Sequence, residues 1–506
     1  MFSLRVALVG ALVASQSVSA FFRMPCDNPL IVERADPIIS PGAISGHTHT
    51  IAGGSNFALN STYNDMTASQ CTSCRAKQDK SAYWTPLLYI AWKNGTFTSV
   101  PQVGGQLVYY LQRYHSSDTT EILAFPPGFK MLAGSPMRRT YNDSNFVDQA
   151  IGWNCLGSAS PTRNSWLPKV QCPDGLRAEV RFPSCWNGVD LYKADQSHVA
   201  YSDGESGPCP ATHPKRLVTI FFEIMYSTSQ FDGMWDQALN PSSPFVLANG
   251  DPLGYGLHGD FLNGWDVDVL QQAIRTCTND SGRVEDCAVL DLYDRSVDGD
   301  CRKTPDINEI VLGNVKTLPG CNPLTTTTAE AQAAMKSCPN LALPEVFTQT
   351  TTYTGILPPP GSNVLAGTPM TVTSSTGYKY QGCYLDGWTR SLPKQLTTAN
   401  KTVAACLTAA KEAGFNTVGL EYGGECWAGS KLGSGSTLLD YSKCNMACND
   451  ASDEVCGGPN VCRFSLDVCK LALTDPRSLQ ALSLYTLTAS RHARRGIDHH
   501  FKRGRF

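Results

Sequence analysis

His47 and His49 stand one residue apart in the segment SGHTHTIAGGSNF. In a β-strand, side chains i and i+2 project from the same face, so both imidazoles can reach one metal ion at the zinc–nitrogen distance of about 2.0–2.1 Å. His198 in DQSHVAYSD and His258 in LHGDF can add ligands, and Asp260 shares the face of His258 by the same spacing. The pattern predicts a histidine-rich site for zinc or copper, with His47 and His49 as its first two ligands.

The same five residues also suit catalysis without a metal. A histidine of near-neutral pKa can abstract a proton from a sugar or uronic acid, with Tyr201 or Lys193 in support, which is lyase chemistry. Glycoside hydrolysis normally needs two carboxylates, and Glu223 in TIFFEIMY is one candidate. The simpler interpretation makes Glu223 a structural partner of Arg216 or Lys215. A third alternative is that the histidines only bond backbone carbonyls in a glycine-rich fold.

The elements that must position these residues are mainly strands. RLVTIFFEIMYS, AYWTPLLYIAW and GQLVYYLQRY are β-branched and aromatic runs of strand length, bounded by Gly, Pro and Asn. In the large domain the best helix candidates are VDVLQQAIRTC at 267–277 and TAEAQAAMKSC at 328–338, and in the small domain TVAACLTAAKEAG has helical spacing. We therefore predict a mainly β protein, with a large β-sandwich or jelly-roll-like domain that carries a few helices.

The remaining composition predicts a secreted protein. The first 20 residues resemble a signal peptide, with Arg5, a short apolar run and small residues before Phe21. Twenty cysteines divide into twelve before residue 340 and eight after 380, so each block can close its own disulfides, and Cys71 and Cys74 are expected to be oxidised. Five Asn-x-Ser/Thr sequons make it a candidate glycoprotein; they are at Asn60, Asn94, Asn142, Asn279 and Asn400.

Composition also bounds the partners and the domains. A formal net charge of -3 indicates no nucleic acid, and no apolar run after the signal peptide is long enough for an integral membrane segment. A Thr- and Pro-rich stretch at 341–377 has the composition of a linker. We expect a large domain at 21–340, a small one at 378–470 and a basic tail at 471–506.

The small domain resembles a WSC domain, a fungal cell-wall and carbohydrate-binding module. The resemblance rests on GLEYGGECWAG, on CNMACNDASDEVCGG and on the count and order of eight cysteines. Such a short, cysteine-dense chain is a disulfide-stapled scaffold, here of α+β type. Tyr384, Trp388, Tyr422 and Trp427 are the aromatic residues expected to stack on sugar rings, with the alternative that each belongs to the core.

The large domain resembles the fungal secreted domain known as DUF1996. The resemblance rests on KSAYWTPLLY, FPPGFKMLAG, CWNGVDLYKADQSHVAYSD and FVLANGDPLGYGLHGDFLNGWD together with the histidine segment. The resemblance implies a secreted fungal protein in which this domain is paired with a WSC domain, but it implies no mechanism.

Taken together, the sequence predicts a secreted fungal cell-wall protein that acts on polysaccharide. Its WSC-like module would hold it to β-glucan or another wall glycan, and its large domain would be a hydrolase or lyase. The alternative is a non-catalytic glycan-binding or adhesion protein.

Overall fold

The computed structural model describes residues 20–113, 121–158, 163–294, 301–303, 306–307, 309, 311–336, 344, 346, 378–386, 390–433, 436, 444, 447–458 and 480–487. Most of the linker, Trp388 and the predicted signal peptide except Ala20 lie outside these residues.

Strands dominate the described residues, which confirms the predicted fold class. In chain order they are β1 (Ala20–Cys26), β2 (Ile31–Glu33), β3 (His49–Gly53), β4 (Ala82–Pro86), β5 (Leu88–Ala91), β6 (Phe97–Ser99), β7 (Gln102–Gln112), β8 (Lys130–Gly134), β9 (Ile151–Cys155), β10 (Arg163–Asn164), β11 (Leu176–Arg181), β12 (Cys185–Trp186), β13 (Val199–Ala200), β14 (Lys215–Arg216), β15 (Thr219–Tyr226), β16 (Phe245–Leu247), β17 (His258–Leu262), β18 (Asn314–Val315), β19 (Tyr378–Asp386), β20 (Lys394–Leu396), β21 (Thr417–Glu421), β22 (Glu425–Gly429), β23 (Ala447–Cys448), β24 (Ala451–Val455) and β25 (Gln480–Leu487).

The helices are short. The α-helices are α1 (Tyr63–Thr67), α2 (Phe146–Gln149), α3 (Val267–Thr276), α4 (Thr328–Lys336) and α5 (Val403–Glu412), and 3₁₀ turns occupy Thr228–Phe231, Trp235–Gln237 and Val284–Asp286. The two helices expected in the large domain are α3 and α4. Asp266 caps α3 because its side chain accepts a hydrogen bond from the amide of Val269. No helix in the described part of the chain is long and apolar enough to cross a membrane.

Two antiparallel sheets face each other in the large domain. One has six strands in the order β1-β7-β15-β11-β9-β10, and the other has five in the order β2-β3-β4-β17-β8. Between them, Tyr83 of the five-stranded sheet meets Phe222 of the six-stranded sheet with ring centroids 5.7 Å apart. A Cβ at Gly259 would lie 3.0 Å from Phe182 and 3.1 Å from Phe222, so a larger residue here would force these rings to shift by a few tenths of an ångström.

The opposite face of the five-stranded sheet packs on a second apolar cluster. Ile51, Trp84 and Leu262 point into it, and all three are fully buried. The two remaining sheets of this part of the chain are smaller, with orders β16-β5-β6-β18 and β13-β12-β14. Cys71 and Cys74 are both oxidised but to different partners, Cys301 and Cys26.

The C-terminal described residues form their own sheet, in the order β19-β25-β21-β22-β20. Val403 and Leu407 of α5 pack on Val418 of β21, and described disulfides include Cys406–Cys426. One strand, β25, lies inside the stretch expected to be a basic tail, where it pairs with both β19 and β21. The segment QALSLYTL carries strand-forming residues between Arg477 and Arg491, and its pairing depends on strands about 60 residues or more away in sequence.

Candidate functional site

Three histidines meet at one end of the five-stranded sheet. His49 opens β3 opposite Pro86 of β4, and β17, which opens with His258, lies on the other side of β4. Directly opposed residues in an antiparallel sheet share a face, so His49 and His258 project to the same side. His47 lies in the bend just before β3, and its ring also contacts those of His49 and His258.

The imidazole nitrogens converge. Nε2 of His47 lies 3.1 Å from Nε2 of His258. The ring centroid of His47 is 4.3 Å from that of His49 and 5.0 Å from that of His258. One ring nitrogen from each residue lies within 4.8 Å of the other two. Among the described residues, no other group of His, Cys, Asp or Glu meets this criterion.

Backbone carbonyls orient two of the three rings. Nδ1 of His49 lies 3.1 Å from the Ala35 oxygen, and Nδ1 of His258 lies 2.8 Å from the Gly256 oxygen. A carbonyl only accepts, so each Nδ1 carries the proton and each Nε2 presents a lone pair. The Nε2 of His49 is buried and has no hydrogen-bond partner in the described residues. Such a carbonyl contact is also what usually orients a metal-binding histidine.

Burial keeps the cluster neutral. His47 is 9% exposed, His49 0% and His258 3%. Desolvation lowers the pKa of His258 to about 4 and, with repulsion from the neighbouring imidazoles, holds the pKa of His47 and of His49 well below the usual range. At neutral pH all three rings are therefore uncharged, which is the form that binds metals.

Two arginines near the histidines are themselves paired. Arg34 contacts the carboxylate of Glu309 at 2.6 Å, and Arg139 lies 3.7 Å from Asp251. Asp251 also accepts a hydrogen bond from the amide of Gly256, the residue whose carbonyl orients His258. The sequence did not predict that Asp251 and Gly256 orient His258. The only local indication is the spacing of Asp251 and Gly256 within the glycine-rich segment NGDPLGYGLHGD.

The geometry fits a tetrahedral transition-metal ion. Two nitrogens bound at about 2.0–2.1 Å on a tetrahedral ion lie roughly 3.3 Å from each other. The distance of 3.1 Å between His47 and His258 is already close to that value. A ring nitrogen of His49 lies within 4.8 Å of the other two, and rotation of this side chain has to bring it to roughly 3.3 Å from them. Imidazole ligands suit zinc and copper.

Asp260 and His198 are not part of this group. Asp260 shares the face of His258 two residues along β17, but it is fully buried and neither carboxylate oxygen has a hydrogen-bond partner in the described residues. Burial raises its pKa well above the usual range, and the charge of Asp36 adds to the effect. His198 uses both ring nitrogens elsewhere: Nε2 donates to the Lys130 carbonyl at 2.7 Å, and Nδ1 accepts from the Lys193 amide at 3.3 Å.

The aromatic residues expected to bind sugar are divided between core and surface. Tyr384 is 7% exposed and packs with Leu392 and Leu482, which leaves little of its ring exposed for stacking on a sugar. Tyr422 is 45% exposed. Trp427 is half-buried, with the Arg390 guanidinium 4.0 Å from its ring centroid.

Glu223 has partners other than those expected from sequence. Its carboxylate accepts a hydrogen bond from the Tyr109 hydroxyl at 2.9 Å and pairs with Arg177 at 3.2 Å. Arg216 and Lys215 lie in a different sheet, in β14. Burial raises the pKa of Glu223, and the Arg177 charge opposes that rise.

Two families match this chain. Residues 36–265 match DUF1996, described as a domain of unknown function, and residues 380–458 match the WSC domain. No solved structure matches.

Several fungal proteins are similar over part of their length. A Chaetomium globosum protein named "Putative fungistatic metabolite" is 34% identical over 122 residues, which cover 22% of this chain and 55% of that protein. Two Arthroderma benhamiae proteins named as WSC domain-containing are 38% identical over 85 residues and 33% identical over 94. Each match covers 16% of this chain, and 11% and 10% of those proteins. The chain thus spans only about half, or about a tenth, of the length of these relatives. By its two family matches, the chain combines a DUF1996 domain with a C-terminal WSC domain.

Proposed function

We propose that this protein is a secreted, wall-associated metalloprotein, held on polysaccharide by its WSC domain and carrying a three-histidine zinc or copper centre in its DUF1996 domain. The WSC domain supports association with cell-wall carbohydrate, and the disulfides are consistent with an extracellular or cell-wall location.

The convergence of three neutral imidazoles carries the metal assignment. His49 and His258 open two strands about 210 residues apart in sequence, His47 lies just before the first of them, and His49 and His258 each have Nδ1 occupied by a carbonyl. Burying an imidazole nitrogen without a partner costs free energy, and the Nε2 of His49 is such an atom. A metal ion would supply the missing partner.

The chemistry open to such a centre is hydrolysis or elimination on a glycan. A metal held by three imidazoles retains a position for water and lowers the pKa of that water, which generates a nucleophile or base near neutral pH. Catalysis requires the substrate to reach the ion, and His47 is the member of the group that is most exposed to solvent. It would be the side from which a glycan approaches.

A second candidate is a non-catalytic glycan-binding protein with a structural metal. The low exposure of His49 and His258, 0% and 3%, favours it because structural sites are closed. Metal content alone does not separate the two candidates, whereas polysaccharide cleavage does.

The test is metal analysis of the secreted, untagged full-length protein by plasma mass spectrometry. The wild type is compared with His49→Ala and with His213→Ala, a control that removes a half-buried histidine bonded to the Ser197 carbonyl. We expect about one zinc or copper per chain in the wild type and the control, and none in His49→Ala. Absence of metal from all three proteins after growth with both metals would refute the metal centre.

A parallel assay tests the glycan association and the activity. Retention on insoluble β-1,3-glucan, chitin and xylan is measured for the wild type and for Trp427→Ala. We expect retention of the wild type on at least one of them and its loss in the variant. Release of reducing ends or unsaturated products by the metal-loaded protein, and not by His49→Ala, would favour the enzyme over the non-catalytic candidate.

A further inference from the structure

A groove on the large domain lies apart from the histidines, on the face of the six-stranded sheet that points away from the core. Its volume is about 540 Å³, within the range of roughly 300–1,000 Å³ seen for small-molecule sites. Residues that alternate with the core positions form its floor: Tyr109 on β7, Phe221 and Glu223 on β15, and Glu179 and Arg181 on β11.

Strand register arranges this floor in two rows. Phe221 pairs with Tyr109 on one side and Arg181 on the other, which makes a row of two rings and a guanidinium. Glu223 pairs with Glu179, two residues further along the strands. The two rows share one face and lie about 7 Å apart.

The rings offer apolar faces in a polar setting. Phe221 and Tyr109 are half-buried and meet edge to face, with centroids 5.7 Å apart. Phe146 also lines the groove, and the Arg181 guanidinium lies 5.6 Å from its ring centroid. Phe21 stacks on Tyr109 with ring centroids 6.0 Å apart and covers one face of that ring, whereas among the described residues no ring stacks on Phe221.

The charges of the groove are largely paired. Its lining contains three arginines and three glutamates, namely Arg113, Arg163, Arg181, Glu179, Glu205 and Glu223. Arg163 binds Glu179 at 2.8 Å, and Arg181 binds Glu205 at 2.7 Å. Arg177, on the same face of β11 two residues before Glu179, contacts both Glu179 at 2.7 Å and Glu223 at 3.2 Å, so four arginines neighbour three glutamates. Pairing with these carboxylates weakens the attraction of the arginines for a polyanion.

We propose that this groove binds a neutral glycan chain. The hydrophobic C–H faces of a sugar ring fit against Phe221 and Tyr109, while its hydroxyl groups exchange hydrogen bonds with the guanidiniums and carboxylates of the floor and rim. The proposal extends the glycan association proposed above to the DUF1996 domain and does not depend on the metal centre. The protein then holds polysaccharide at two surfaces, joined through one chain.

The test uses calorimetric titration of the full chain in a Trp427→Ala background, which weakens the WSC surface. Laminarihexaose, cellohexaose, xylohexaose and mannohexaose are the neutral probes, and hexagalacturonate is the acidic one. Phe221→Ala removes the central ring, and Phe221→Leu keeps apolar volume without a flat face. Met225→Ala is the matched control, because Met225 is half-buried on the same face of β15 but does not line the groove.

The expected outcome has three parts. At least one neutral hexasaccharide binds the background protein. Both Phe221 variants weaken that binding by about tenfold, the effect of losing about 1.4 kcal/mol of ring contact, and Met225→Ala leaves it unchanged. Near-ultraviolet circular dichroism verifies that each variant is folded, and Phe221→Leu remains informative where Phe221→Ala is not.

Three results would overturn the proposal. They are failure of every neutral probe to bind the background protein, affinity unchanged in a folded Phe221 variant, and tighter binding of hexagalacturonate than of any neutral probe. Loss of wall retention in Trp427→Ala alone bears on the WSC domain and is read separately, so the two proposals fail independently.

Discussion

Acidification of the metal-free protein should remove a defined part of its stability through His258. The pKa of an unfolded histidine is about 6.5, whereas burial lowers that of His258 to about 4. Between these two pH values this histidine is protonated in the unfolded chain and neutral in the folded chain, so the free energy of unfolding falls as the pH falls. The contribution is complete above pH 6.5 and lost by about pH 4. At roughly 1.4 kcal/mol per pH unit, it amounts to about 3 kcal/mol.

Other buried groups act in the opposite direction and must be subtracted. Burial raises the pKa of Asp79 to about 6 and that of Glu33 to about 8, so protonation of these carboxyls favours the folded state in acid. The difference in stability between the wild type and His258→Gln cancels their contribution, because both proteins contain them.

The assay is urea unfolding in EDTA between pH 7.5 and 4, followed by tryptophan fluorescence. Seven of the nine tryptophans precede residue 300, so the signal reports mainly the large domain. We expect the wild-type advantage over His258→Gln to shrink by about 3 kcal/mol from pH 6.5 to 4. A difference that stays constant with pH would refute the argument that burial holds this ring neutral.

Three further predictions address the metal, its support and the WSC domain. Zinc at 100 times its dissociation constant should raise the unfolding free energy of the wild type by about 2.7 kcal/mol and leave His49→Ala unchanged, as urea titrations at pH 7.5 can measure. Asp251→Ala should cost about 3–5 kcal/mol in the same titration because it leaves the fully buried Arg139 without its carboxylate; a cost below 1 kcal/mol would contradict the pairing. Tyr384→Phe should leave wall-glycan retention intact, whereas Tyr384→Ala should lower the melting temperature of the small domain; reduced retention by folded Tyr384→Phe would instead assign the hydroxyl to binding.

The sequence by itself predicts the features of this protein that depend on residues close together in the chain. The β-branched and aromatic run in TIFFEIMY predicts a strand, and β15 occupies Thr219–Tyr226. The spacing of His47 and His49 predicts that their rings lie side by side, and their centroids are 4.3 Å apart, although His47 lies in a bend just before β3. Cysteine spacing and the YGGECW segment were enough to indicate the WSC domain.

Only the tertiary structure decides which distant residues contact the residues in those local patterns. Sequence alone gave no ground to prefer His258 over His198 as the third imidazole, because the choice depends on β17 pairing beside β4 across more than 170 residues. The Gly256 carbonyl fixes the proton of His258 on Nδ1 and so leaves the lone pair on Nε2. In His198, by contrast, the lone pair on Nδ1 accepts a hydrogen bond from the Lys193 amide. Strand pairing also explains why Glu223 forms its ion pair with Arg177 rather than with Arg216. Strand pairing follows from the burial of whole faces, which is a property of the assembled core and not of any short segment.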